Sequence, residues 1–327
     1  MKAVVITEPG PPDVLRVEEV PDPEPGDGEI RVRVEATAVN RADIIQRRGH
    51  YPAPDDWPDD IPGLEYAGVV DAVGPNVSVW DVGDRVMGLV GGGGYAEYVV
   101  VPADEAIAVP DGYSPEEATA IPEAFITADD ALEMRMGLRG RETLLIHAVG
   151  SGVGTAALQL ARAIGATVIG TSRSAWKLER AREMGLDVAI DTSGNGGFAE
   201  PVLDATARRG VSAVLDLVGG PYVEEDVKCV GYLGRIVLIG LTGGRTAELD
   251  LGTLLKKRVT LVASVLRTRP PAEKAAAART FEETVLPLLR RGAVRPVIHE
   301  VVPMADVVRA HELVESNETF GKVVLRW

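Results

Sequence analysis

The sequence predicts an α/β chain in which a doubly wound parallel sheet is joined to a β-rich domain. Three observations predict it. Leu144 to Gly165 reads as an apolar strand, a glycine-rich turn and an amphipathic helix. From Glu142 to about Ser264, apolar strands alternate with helical patterns, the rhythm of a parallel sheet covered on both faces. Residues 1 to about 120 instead mix β-branched and polar residues in short runs separated by Pro and Gly. A chain of 327 residues is long enough for two domains.

In the first region the predicted strands are Ile30–Ala38, Gly68–Val73, Asp84–Leu89 and Tyr95–Pro102. Ser114 then caps a helix, with Pro115 in its first turn and Glu117 completing a capping box. Ala118–Met136 is expected to continue largely as helix. The parallel strands are read at Thr143–Ala148, Thr167–Thr171, Val188–Asp191, Ala213–Val218, Ile236–Leu241 and Thr260–Ala263, with helices such as Ser174–Met184 and Pro201–Arg208 between them. Helices at Glu273–Arg291 and around Met304–Ser316, then a strand at Lys322–Arg326, complete the chain.

The glycine turn carries the first functional expectation. Val153, Ala157, Leu160, Ala161 and Ile164 recur at helical spacing, so unpaired N–H groups at the helix start can receive a pyrophosphate. Val149, Ser151 and Gly154 occupy the three glycine positions of the dinucleotide fingerprint, and only Gly154 keeps its glycine. Gly150 and Gly152 keep the turn pliable. Gly150, Ser151, Gly152, Val153 and Gly154 are therefore the candidate phosphate cradle; a tight turn without ligand is the alternative.

An NAD site places a carboxylate about 20 residues past the turn, at the end of the second strand. Here that strand runs into Ser172-Arg173-Ser174-Ala175-Trp176-Lys177. Ser172, Arg173 and Lys177 can hold a 2′-phosphate, so NADPH is the favoured cofactor. The alternative is that Arg173 and Lys177 are ordinary surface charges on a helix start. Val218, Gly240 and Leu241 fall at the carboxyl ends of later strands, where open α/β sheets bind ligands.

The net charge of −15 argues against a nucleic-acid partner. Cys229 is the single cysteine, which excludes an internal disulfide and a thiolate-rich zinc site. With no run long enough for a membrane span and no signal-peptide core in the opening MKAVVITEPG, a cytoplasmic protein is expected.

A resemblance rests on motifs along nearly the whole chain. They include Asn40-Arg-Ala-Asp43, Gly49 to Tyr51, Gly63-Leu-Glu65, Gly91-Gly-Gly-Gly94, Ile121-Pro-Glu-Ala124 with Thr127, and Ser151-Gly-Val-Gly-Thr-Ala-Ala157. Gly234-Arg-Ile-Val-Leu-Ile-Gly240, Ser264-Val-Leu-Arg-Thr-Arg269 and Gly321-Lys-Val-Val-Leu325 continue it. On these the chain resembles the zinc-free quinone oxidoreductase (zeta-crystallin-like) branch of the medium-chain dehydrogenase/reductase superfamily. Within that branch it is most similar to the stress-inducible NADPH quinone oxidoreductases of mammals.

The resemblance implies a GroES-like β-rich domain from residues 1–121 and 264–327, a Rossmann domain from 122–263, and an active site in the cleft between them. It also implies a homodimer, often with the Rossmann sheets continuing across the two subunits. Zinc-dependent relatives place a cysteine near position 43 and a histidine in a Gly-His-Glu motif; here stand Asp43 and Leu64. The implied reaction is metal-independent hydride transfer from NADPH to a quinone. An enoyl or 2-alkenal reductase is the first alternative, and a non-catalytic NADPH-binding redox sensor the second.

By position, Tyr51 is expected over the nicotinamide pocket or packing as a loop residue, and Asn40 at the nicotinamide end. Thr127 either joins Asn40 or simply packs its helix. Ser151 matches a serine of the relatives and reaches the pyrophosphate or nicotinamide, or is a tolerated small residue. Leu266 meets the carboxamide through its backbone, and Arg267 faces solvent or the cofactor phosphate. Glu65 is expected in a structural salt bridge. Where relatives carry a tyrosine after the third strand, this chain has Ile190-Asp191-Thr192.

Overall fold

Alternation of apolar and polar residues makes Glu29–Val39 a strand with Ile30, Val32, Val34, Ala36 and Ala38 facing inward. It is the centre of one of two units seen in a computed structural model, which describes residues 1–194 and 197–327. That unit comprises Met1–Ile126 with Leu266–Trp327; the other is Thr127–Val265.

In the first unit, Glu29–Val39 pairs antiparallel with Glu65–Val73, Tyr98–Pro102 and the late strand Lys322–Arg326. Arg85–Leu89 and Ile107–Ala108 extend the sheet on one side, and Ile298–Pro303 lies parallel to Lys322–Arg326 on the other. A hairpin of Lys2–Ile6 and Leu15–Glu19 packs Ala3, Val4 and Leu15 with Val302, Val307 and Leu325.

The second unit holds six parallel strands in the spatial order Val188–Asp191, Thr167–Ser172, Thr143–Ile146, Val211–Asp216, Val230–Leu238 and Thr260–Ala263. Counted along the chain this is the doubly wound Rossmann order 3-2-1-4-5-6. Leu144, Leu145 and Ile146 are wholly buried, as a strand covered on both faces requires. The helix Gly152–Ile164 turns Ala156, Ala157, Leu160 and Ala161 inward and ends at Gly165, whose φ of 87° suits a glycine cap.

Several boundaries differ from the periodic reading. Ala118–Met136 is not one continuous α-helix: Pro115–Thr119 ends before Pro122, and Pro122–Ile126 and Asp130–Arg135 are π-helical turns flanking Thr127–Asp129. Pro122 cannot donate the N–H that would continue the first helix. The expected helix Glu273–Arg291 divides into Pro271–Thr284 and Leu286–Arg290, with Pro287 just inside the second. Val230–Leu238 begins earlier than expected and ends before Gly240, which leaves Gly240 and Leu241 in the loop beyond it. Among the described residues no helix is long and apolar enough to cross a membrane.

Candidate active site

In the second unit, the chain leaves Thr143–Ile146 and turns through Ala148, at a φ of 48°. Ser151 then caps the helix, its Oγ accepting from the Gly154 N–H at 3.0 Å. One acceptor site of this hydroxyl thus serves the helix. Gly154 is constrained by close approach: a Cβ there would stand 2.5 Å from the Ala148 carbonyl oxygen. Gly150 is buried, while Gly152 and Val153 are half-buried at the helix start.

Next to this turn, across the sheet, the Asp216 carboxylate accepts from the N–H groups of Val218 at 2.7 Å and Gly219 at 2.9 Å. This folds the loop after Val211–Asp216. Gly240 follows the neighbouring strand so closely that a Cβ would meet the Leu217 carbonyl oxygen at 2.3 Å. The winding of the sheet reverses between Thr143–Ile146 and Val211–Asp216, the place where such sheets take ligands. The carboxyl-end loops there carry Gly150 to Gly154 and Val218, with Gly240 and Leu241 one strand further on.

At the end of Thr167–Ser172, the Ser172 hydroxyl accepts from the Ser174 N–H at 3.2 Å, and Arg173 is exposed. The Lys177 ammonium lies 5.6 Å from the Trp176 ring centroid. After the third strand, Asp191 accepts from the Ser193 N–H at 2.8 Å, which lowers its pKa. Tyr222 donates to the Thr192 hydroxyl at 3.1 Å. A tyrosine therefore does reach this turn, from a helix that the local sequence gave no reason to connect with it. Thr127 Oγ is buried and has no hydrogen-bond partner among the described residues.

These features fit a nicotinamide dinucleotide. The backbone approach at Gly154 leaves the helix N–H groups open, no carboxylate stands at the end of the second strand, and the buried Thr127 hydroxyl lacks a partner.

In the first unit, Asn40 opens the helix Arg41–Arg47. Its amide donates to Glu65 Oε1 at 3.0 Å and to the Ala38 carbonyl at 3.2 Å, and its Oδ1 accepts from Lys322. Lys322 also pairs with the fully buried Glu65 at 2.7 Å, so Glu65 does sit in an ion pair. The Asp43 carboxylate accepts from the N–H groups of Asn40 and Gly63 at 2.7 and 3.1 Å and from the Tyr95 hydroxyl at 3.3 Å. Burial pushes the Asp43 pKa up to about 6.

Arg267 turns inward, 7% exposed, so the solvent-facing option is removed. Its guanidinium donates to the Gly91 carbonyl at 2.7 Å, the Tyr51 carbonyl at 3.1 Å and Gln46 Oε1 at 2.6 Å. It also lies 4.8 Å from the centroid of the Tyr51 ring, and burial raises the Tyr51 pKa. Arg267 thus braces the loop that carries Tyr51. Leu266, buried beside it, helps to line a cavity of about 30 Å³ with Leu64, Val90, Ile126, Glu105 and Glu123. Sequence reasoning passed over both glutamates; the Ile121-Pro-Glu-Ala124 motif was the available signal for the second.

In the core of the second unit, His147 hydrogen-bonds Asp226 at 2.7 Å and Thr171 at 2.8 Å, with the Phe198 and Tyr222 rings against it. Among the described residues, His147, Asp216 and Asp226 are the one group of three ligand-type side chains close enough to share an ion.

Comparison with known proteins gives two family models. One described as the alcohol dehydrogenase GroES-like domain matches residues 26–111, and one described as zinc-binding dehydrogenase matches residues 152–283. The chain is 35% identical over 321 residues to a quinone oxidoreductase of Pseudomonas aeruginosa, covering 97% of this chain and 96% of that protein. A quinone oxidoreductase structure from Pseudomonas syringae pv. tomato superposes with a TM-score of 0.90 at 30% identity, covering 100% of this chain and 99% of the other. A mycobacterial protein solved in complex with NADPH gives a TM-score of 0.87 at 31% identity, with 100% of both chains covered. Positions 43 and 64, where zinc-dependent relatives place a cysteine and a histidine, carry Asp43 and Leu64. Asp43 has both oxygens engaged in hydrogen bonds, and Leu64 offers no ligand atom.

Proposed function

The chain belongs to the medium-chain dehydrogenase/reductase superfamily of oxidoreductases, and from that premise we propose that it reduces quinones with NADPH, without a metal. One observation carries the choice of acceptor: Leu64 offers no ligand atom and both Asp43 oxygens are held by backbone N–H groups, which favours an acceptor that takes hydride without a Lewis acid. Electron-poor quinones do so. Bound at the glycine turn, NADPH supplies the hydride.

In this reading the helix start at Gly150, Ser151, Gly152, Val153 and Gly154 holds the pyrophosphate. Val218, Gly240 and Leu241 border the nicotinamide half, Thr127 gives its unpartnered hydroxyl to that half, and Leu266 offers its backbone to the carboxamide. Ser172, Arg173 and Lys177 hold the 2′-phosphate. Tyr51, held in place by Arg267, lies over the acceptor with its phenol available to the acceptor oxygen. Asn40 is a positioning residue here, since its amide is engaged with Glu65 and Lys322.

Stopped-flow mixing of NADPH or NADH with 9,10-phenanthrenequinone tests the reading; rapid oxidation of NADPH is expected, and no oxidation of either cofactor would overturn it. Faster turnover of a 2-alkenal than of any quinone would replace the acceptor. A thermal shift with NADPH but no turnover of any acceptor would leave a nucleotide-binding protein.

Arg173→Glu should weaken NADPH binding about 10- to 100-fold and NADH binding little, because hydrogen bonds to charged groups contribute about 1.5–3 kcal/mol. Calorimetric titration of both cofactors checks this, and equal losses would remove the assignment.

The homodimer is part of the same proposal. Thr260–Ala263 is a sheet edge with Leu261 42% exposed, and Leu251 and Leu255 nearby are 66% and 79% exposed. Pairing of this edge with a second copy supports the expectation of a particle of twice 34.7 kDa in light scattering. Leu261→Lys should shift it toward monomer; a wild-type mass equal to one chain would refute the pairing.

A further inference from the structure

We propose that Glu123 is the acid that supplies the proton accompanying hydride transfer, refilled through the small cavity that it shares with Glu105. The proposal rests on the quinone-reductase reading above. Its geometry lies wholly within the first unit. The Glu123 backbone N–H donates to Glu65 Oε2 at 2.8 Å, which sets Glu123 beside the Glu65–Lys322 ion pair. Its carboxyl is surrounded by the charges of Glu65, Lys322, Asp43 and Arg267.

Three carboxyl groups therefore share the reach of two cations, and the Arg267 donors are already engaged by Gly91, Tyr51 and Gln46. Crowding of three carboxyl groups around two cations, one of them already engaged, favours keeping one proton in the cluster. Burial, followed by the Glu65 charge, pushes Glu123 up to about 8, above Asp43 at about 6. The retained proton belongs on Glu123.

The cavity of about 30 Å³ connects this acid to a second one. It is lined by Glu123 and Glu105, by Lys274 and Arg267, and otherwise by apolar side chains such as Leu64 and Val90. A volume of this size holds one or two waters, and the glutamates supply polar partners. Burial pushes Glu105 up to about 7, with Lys274 opposing and Asp104 adding to the shift. Arg267 lines the cavity and also stacks on Tyr51, whose phenol feels the charges of both Arg267 and Glu123. Arg267 thus links the cavity that Glu123 lines to the Tyr51 loop.

The step balances. Hydride brings two electrons and one hydrogen to the quinone, giving a hydroquinone monoanion. The O–H bond of the Glu123 carboxyl breaks, its electron pair stays on the carboxylate, and the proton bonds to the anionic oxygen to give the hydroquinone. Lys322 and Arg267 stabilise the new carboxylate. Cavity water then passes a proton from Glu105, which regains one from solvent.

Glu123→Gln keeps the shape and removes the proton. Its kcat should fall about 100-fold, the lower end of general-acid contributions, with KM for the quinone and affinity for NADPH within about twofold of wild type. The alkaline fall of kcat near pH 8 should vanish in this variant and persist in Glu123→Asp. Melting of the nucleotide-free protein gives an independent reading. Glu123 stays protonated in the fold but ionises on unfolding, so its contribution to wild-type stability is lost as pH rises from about 4.5 to about 8 and then levels. Glu123→Gln escapes that drop, so its advantage in melting temperature should grow across the same window.

A kcat within about threefold of wild type with an unchanged pH profile would overturn the proposal, as would a melting difference independent of pH. Failure of the wild type to oxidise NADPH with any acceptor would defeat the quinone-reductase reading and, with it, the catalytic role; the melting series would still decide whether Glu123 retains the proton. If Glu123→Gln does not fold, loss of the alkaline limb in Glu123→Asp overturns the proposal and its persistence supports it.

Discussion

Gly154→Val is expected to lose more than 100-fold in NADPH affinity and to destabilise the second unit. The first side-chain carbon would stand 2.5 Å from the Ala148 carbonyl oxygen and 2.8 Å from Val149 Cα. Both are backbone atoms and cannot swing away as a side chain does. The helix Gly152–Ile164 must therefore move off the strand, which breaks the 3.0 Å cap from Ser151 to the Gly154 N–H and misdirects the N–H groups at the helix start. Overpacking of this kind costs about 1–3 kcal/mol. Calorimetry measures the affinity and urea denaturation the stability; wild-type affinity would show that the nucleotide does not use this turn.

Lys322→Met should cost about 3–5 kcal/mol, the penalty for leaving one member of a buried ion pair without its partner. Glu65 is fully buried and Lys322 is 5% exposed, so water cannot replace the lost cation. The change also removes the donor to Asn40 Oδ1 and leaves Glu65 beside Glu123 without its cation. The double variant Lys322→Met with Glu65→Gln should regain most of the stability, because the stranded charge is gone. Urea midpoints of the single and double variants decide this, and a single variant as stable as wild type would mean that the pair contributes nothing net.

Much of the site was legible in local patterns. The glycine turn, the missing carboxylate after the second strand and the absence of a cysteine at position 43 and a histidine at position 64 are each read over a few residues. Arg267 was harder. Its sequence neighbours gave no hint that it would face Gln46, 221 residues away, because that contact exists only once two distant segments have packed. Glu123 was hidden for a related reason: a glutamate near a helix start reads as an ordinary surface charge until Glu65 is placed beside it. The π-helical turns of Pro122–Ile126 and Asp130–Arg135 escaped because their apolar spacing is close to that of an α-helix.

Hydrophobic periodicity and turn residues act over one or two turns of chain, so they were enough to specify the parallel strands, the nucleotide-type turn and the β-rich region. Which charge faces which depends on burial, and burial is created when segments from opposite ends of the chain meet. The Glu65–Lys322 pair, the Arg267 brace and the crowding of carboxyl groups around Glu123 therefore belong to the folded molecule. They arise where desolvation makes each unmatched charge costly.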